Sequence, residues 1–272
     1  MEVASAGALG RSDKAIPASS STVPAGKLRS PLGADRPIER LYNPGELHKM
    51  IRHLVLAASL AVAGSAVAAP SFNCAKAATP VEKAICAHPA LADQDAAIAQ
   101  QYKAVRGKLD AEAVKSLTAD QRYFLGVRDN IYAEPFSGST PVKEIGTSMR
   151  YRLNFLKSID PQPPAGFVGK WKNVEGEIEI TRGADGQLLV AANSAQPYNG
   201  RWVCDLSGKA VAVGDSIIVT YQDGPPWTLD LTRRGAVLVV RETPPAGVEK
   251  DGFGPPFCGM NGSLEGDWFA VR

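Results

Sequence analysis

Histidine is nearly absent from this chain: 272 residues hold three, and beyond residue 53 there is only His88. That scarcity argues against imidazole catalysis and against a histidine-rich metal centre. His88 stands next to Pro89 at a helix boundary and reads as a capping or surface residue. Cysteine is limited to four, Cys74, Cys86, Cys204 and Cys258, and none are spaced C-x2-C or C-x4-C as a tetrahedral metal site prefers. Long blocks of like charge are missing too. With a formal net charge of +2, the chain has neither a basic stripe for nucleic acid nor a basic amphipathic surface for a membrane. No nucleophile stands with a base, and no paired carboxylates occupy a recognisable catalytic setting. The sequence therefore points away from an enzyme, and it implies no cofactor and no metal.

What is present begins at Met50. Arg52 and His53 precede the apolar run from Leu54 to Ala63, and Ala66-Val67-Ala68 supplies the A-x-A pattern of a signal-peptidase site. The run ends near Ala69, short of the roughly 20 residues that a spanning helix needs. Residues 50–68 thus read as a cleavable signal, with Ala69 as the new terminus and no stable membrane insertion afterwards. Ser71-Phe72-Asn73 before Cys74 is not a lipobox, which argues against a lipid anchor. Residues 1–49, rich in Pro, Ser, Gly and Ala, read as a leader or as upstream sequence ahead of a true start at Met50. All four cysteines follow the cleavage site. An even count in an exported chain favours two disulfides, with three pairings open.

Residues 71–159 carry helical signals. Thr79-Pro80-Val81-Glu82 is a capping box with proline at the first helical position, opening a short helix that ends before His88-Pro89. Leu91, Asp95, Ile98, Tyr102, Val105 and Leu109 then recur at helical period and form one face. Asp95 is the one polar member of that stripe and needs a partner: a backbone N–H, Arg128 or Arg152. A third helix is expected from about Thr118-Ala119-Asp120-Gln121, with Tyr123, Phe124, Val127 and Ile131 turned to the core. A fourth starts at Thr140-Pro141 and presents Val142, Ile145, Met149, Leu153 and Leu156.

Residues 160–166, Asp160-Pro161-Gln162-Pro163-Pro164-Ala165-Gly166, form a stiff proline-rich linker. From Phe167 to Arg272 the apolar period falls to two: Ile178 and Ile180, Leu189 and Ala191, Trp202 and Cys204, Ile217 and Val219, Leu229 and Leu231, Val237 and Val239. Asp185-Gly186, Ser207-Gly208, Asp223-Gly224 and Arg234-Gly235 read as the turns between them. The expected fold is therefore multi-domain, α plus β. A small disulfide-bonded domain of about four helices precedes an antiparallel all-β barrel or sandwich.

The stretch Phe72-Asn73-Cys74-Ala75-Lys76-Ala77, the Thr79-x-x-Glu82-x-x-Ile85-Cys86 helix, and then Pro89, Leu91, Asp95 and Tyr102 together resemble the LprI N-terminal-domain family of bacterial envelope proteins. Gln121-Arg122-Tyr123-Phe124-Leu125-Gly126-Val127-Arg128-Asp129 is similar to that family's third-helix motif, and Arg152 to its final-helix arginine. Members usually carry a second cysteine pair, replaced here by the regions of Asn130-Ile131-Tyr132 and Lys143-Glu144-Ile145. The resemblance therefore implies that Cys74 pairs with Cys86. The β part resembles the module that often follows such domains, and a Cys204–Cys258 bond there would close a loop worth about 4 kcal/mol in the chain-entropy model.

The family implies a periplasmic inhibitor of lysozyme, with lysozyme or another envelope protein as partner. An inhibitor of this kind blocks the enzyme's carboxylate-bearing cleft with a preorganised turn. Two turns qualify: Lys76 to Thr79, held by Cys74, and Phe136-Ser137-Gly138-Ser139. Asp95 with Arg128 or Arg152 reads as a structural ion pair. Alternatives are a non-catalytic envelope module binding glycan, peptide or protein through Trp171, Tyr198, Trp202, Tyr221, Trp227 and Trp268, and a stress-related structural protein. N-terminal sequencing of the exported protein is expected to begin Ala69-Pro70-Ser71; a mature chain starting well before Met50 would overturn the export reading.

Overall fold

The computed structural model describes residues 69–248 and 254–272, so residues 1–49 and 50–68, expected from the sequence to be a leader and a signal segment, lie outside the described residues. A 3-10 turn at Cys74–Lys76 leads into four helices: α1 (Pro80–Ala87), α2 (Pro89–Arg106), α3 (Ala111–Ala133) and α4 (Pro141–Ser158). Eight strands follow: β1 (Gly169–Lys172), β2 (Gly176–Arg182), β3 (Leu188–Ala195), β4 (Val203–Val213), β5 (Ser216–Thr220), β6 (Thr228–Arg234), β7 (Val237–Thr243) and β8 (Gly266–Val271). Each pairs antiparallel with the next and β8 pairs back onto β1, closing an up-and-down barrel. Of the two β architectures open to the sequence, the barrel is the one formed. Disulfides join Cys74 to Cys86 and Cys204 to Cys258.

The capping box at Thr79 and Glu82 is formed in both directions, and Thr140 caps α4. Helix α3, however, starts earlier than Thr118. Asp110 is its N-cap, accepting a 2.9 Å bond from the Ala113 N–H. Thr118 lies inside the helix, donates to the Val114 carbonyl at 2.7 Å and accepts from the Tyr102 hydroxyl at 3.2 Å. A Thr-x-x-Gln string mimics a helix start because the same side chains can bond backward along a helix.

In the barrel, Trp171, Ile178, Ile180, Ile217, Val219, Leu229 and Leu231 point inward, as the period of two requires. The register of β3 differs from the sequence reading by one residue. Val190 and Ala192 are buried, whereas Leu189 is exposed, because apolar residues occupy both parities in Leu188-Leu189-Val190-Ala191-Ala192. Ser207-Gly208 is not a turn either. It lies within β4, where a Cβ on Gly208 would come within 2.9 Å of Val219 Cγ1; the glycine permits close approach between strands. The hairpin after β4 turns instead at Gly214-Asp215, with Gly214 at φ 58°.

The barrel's last strands break the alternation for a physical reason. Val237, Leu238, Val239 and Val240 are all buried, as are Trp268, Phe269 and Ala270. Leu238, Val240 and Trp268 fill the barrel, while Val237, Val239 and Phe269 belong to the core of the helices. Phe269 meets Phe155 of α4 edge to face, centroids 6.1 Å apart. Ser116 of α3 donates to Asp267 at 2.6 Å. Beyond α4, Ile159 bridges Val271, and the Asp160 N–H bonds the Ala270 carbonyl at 2.8 Å. The proline-rich segment is likewise tied to the barrel. Arg233, lying over the Trp171 ring, donates to the carbonyls of Pro163, Pro164 and Gly166.

Phe269 should thus count as a core residue although it faces out of the barrel. Phe269→Ala is expected to cost about 3–5 kcal/mol in urea denaturation, the range for truncating a buried aromatic; a cost near zero would mean the helices do not seal that face.

Candidate functional site

The segment from Cys74 to Thr79 is built as a rigid turn. The disulfide anchors Cys74 to α1, the Asn73 side chain accepts from the Ala75 N–H at 3.0 Å, and the Ala77 N–H bonds the Cys74 carbonyl at 3.1 Å. Glu82 reaches back from α1 to accept from the Ala78 and Thr79 N–H groups at 2.7 and 2.9 Å. These backbone bonds hold its carboxyl below the usual carboxylate range, so at neutral pH the clamp stays charged and intact. Lys76 is exposed on this turn, while Thr79 is half-buried as the helix cap.

The second turn is different. Ser137 is exposed, and the Ser139 N–H closes a turn onto the Phe136 carbonyl at 3.0 Å. The Phe136 ring, 53% exposed, lines a cleft of the chain itself.

Asp95 takes two kinds of partner. Its Oδ2 accepts from the Ser71 N–H at 2.7 Å and from the Ser71 hydroxyl at 2.5 Å, and Arg128 Nη1 lies 3.8 Å from its Oδ1. Arg152 is not part of that pair. It is bonded to Asp120 of α3, and its Nε donates to Gln121 Oε1 at 2.9 Å. The guanidinium carbon sits 5.2 Å from the Phe124 ring centre and 5.0 Å from that of Phe155. Gln121 and Phe124 of the third-helix motif therefore serve to seat this arginine.

Asp120 also reaches the barrel, accepting from the Val174 N–H at 3.1 Å. Beside it, Glu175 is held above the usual carboxylate range, chiefly by burial and further by the charge of Asp120, against a hydrogen bond from Tyr123. The Tyr123 hydroxyl is pushed up in turn, by burial first and then by Glu175. Sequence reasoning missed this cluster and the cleft next to it. Asp120 looked like part of a capping box, and nothing in the sequence around Asn173-Val174-Glu175 announces a meeting with a helix some fifty residues earlier.

Trp171, Trp202, Trp227 and Trp268 are buried in the barrel core, with Tyr221 packed against it. Tyr198 packs against the helical core instead. The six aromatics thus do not line a common groove. Trp171 and Trp268 satisfy their indole N–H groups on the carbonyls of Phe167 and Leu264, at 3.0 and 3.1 Å.

The disulfide-held turn, the inward-facing Asp95 and the seated Arg152 all fall within one stretch of chain. Residues 74–153 match the family described as Lysozyme inhibitor LprI. The matched stretch lies within the helical part, and the match ends before the barrel. No curated protein and no solved structure matches the chain. Among the described residues, no helix is long and apolar enough to cross a membrane.

Glu175 gives a pH signature. Its folded value lies above the ordinary 4.5, so the folded state holds the proton more tightly than the unfolded chain. Stability should fall as pH rises from that ordinary value through the folded one, then level off. Glu175→Gln removes this loss: urea denaturation between about pH 4 and pH 8 should show the variant gaining on the parent as pH rises, and parallel curves would refute the assignment.

Proposed function

We propose that this chain is an exported periplasmic protein whose LprI-type domain inhibits lysozyme by inserting a turn into the enzyme's cleft. The family match over residues 74–153 carries this reading, since the family is described as an inhibitor and not as a catalyst. Two disulfides among the described residues suit an oxidising compartment outside the cytoplasm.

Of the two turns, Cys74 to Thr79 is the better plug. A lysozyme cleft holds a general acid and a second carboxylate, so an exposed cation on a rigid backbone complements it. Lys76 is such a cation, and the disulfide with the Glu82 clamp has already removed most of the entropy that binding would otherwise cost. Phe136 by contrast borders a cleft of the chain itself, and Ser137 and Ser139 bring no charge. The reading of the barrel as a binding module for glycan, peptide or another envelope protein loses its aromatic platform, because the tryptophans fill the core.

The decisive assay titrates the oxidised mature chain, Ala69 to Arg272, against chicken-type, goose-type and invertebrate-type lysozymes. Stoichiometric inhibition of at least one is expected, lost on reduction. Lys76→Glu should weaken it at least tenfold, about 1.4 kcal/mol, without changing thermal stability, while Ser137→Ala leaves it intact. Absence of inhibition of all three types would sink the proposal; equal inhibition by Lys76→Glu would move the contact away from this turn.

A further inference from the structure

Between α3, α4 and the β1–β2 connection lies a cleft of about 560 Å³, within the usual size of small-molecule sites. Its lining is mainly apolar, including Phe124, Val127, Ile131, Phe155 and Val174, and two exposed aromatics border it: Phe136 at 53% and Tyr151 at 69%. One charged side chain in this lining is incompletely satisfied. Arg152 is 3% exposed, and its Nη2 is buried without a hydrogen-bond partner although Nη1 and Nε are both bonded. A buried donor left without a partner is unfavourable, and a ligand oxygen would satisfy it.

The charge balance selects the ligand. Asp120 already neutralises Arg152, Lys172 at the cleft is bonded to Glu177 at 2.5 Å, and Glu144 also lines the cleft. A carboxylate would bring surplus negative charge close to Asp120 and Glu144. We propose that the cleft binds a small, neutral, apolar molecule bearing one carbonyl oxygen, of the amide or ester type. Its apolar body lies against Phe124, Phe155 and Val174, and its oxygen accepts from Arg152 Nη2, which is closed off in the free protein, once the rings beside the guanidinium part to admit it. This site is separate from the Lys76 turn and does not depend on lysozyme inhibition.

The test is an NMR titration of the isotope-labelled mature chain with phenylacetamide, phenylacetate and ethylbenzene. These share a ring but differ in offering a neutral acceptor, a charged acceptor or none. Phenylacetamide should give saturable shifts at the methyl groups of Val127, Ile131 and Val174 and at Arg152 Nε–H, with the other two binding at least tenfold more weakly. Ser148→Trp, which fills the cleft from a residue outside the Arg152–Asp120 pair, should abolish the shifts. No saturable shifts with phenylacetamide, equal binding of all three, or tighter binding of the acid would overturn the proposal. The ligand comparison needs no variant, so it decides even if Ser148→Trp fails to fold.

Discussion

Asp120 is bonded on both sides. One oxygen holds the guanidinium of Arg152 from the neighbouring helix, and the other accepts the backbone N–H of Val174 from the barrel. A carboxylate with 8% side-chain exposure is costly unless all its lone pairs are used, so its position constrains everything that supplies a partner. The pairing of α3 with α4, the seat of Phe124 and Phe155 around the arginine, and the angle at which the β1–β2 connection meets the helices follow from satisfying this group. The buried outer face of β7 and β8 adds the apolar part of the same junction, lending Val237, Val239 and Phe269 to the core of the helices while their neighbours fill the barrel.

The parts of the fold legible in the sequence are those in which local chemistry and burial agree. The Thr79 capping box, the Thr140-Pro141 start, the Leu91 to Val105 stripe and the inward Ile217 and Val219 needed nothing from elsewhere in the chain. Where two parities were both apolar, as at Leu189 and Val190, a period of two could not choose between them. Where one strand serves two cores, as at Val237 to Val240, no alternation exists to be read. The candidate turn at Lys76 was legible because a disulfide and a cap are local devices. The Arg152 cleft was not, since its walls come from segments whose meeting is decided by tertiary packing.

Some of the residues that carry the family pattern face inward. Gln121, Phe124 and Arg152 hold one another, and Asp95 holds Ser71 and faces Arg128. These contacts specify a scaffold. Others, Lys76 among them, are exposed and take no part in that packing.

The two disulfides differ in how far along the chain they reach: 12 residues separate Cys74 from Cys86, and 54 separate Cys204 from Cys258. Loop closure over the shorter span is entropically easier, and the longer one joins a barrel whose first and last strands must find each other across the whole β region. Loop closure alone thus favours the helical bond, and once it has formed, four cysteines with three possible pairings become two with one.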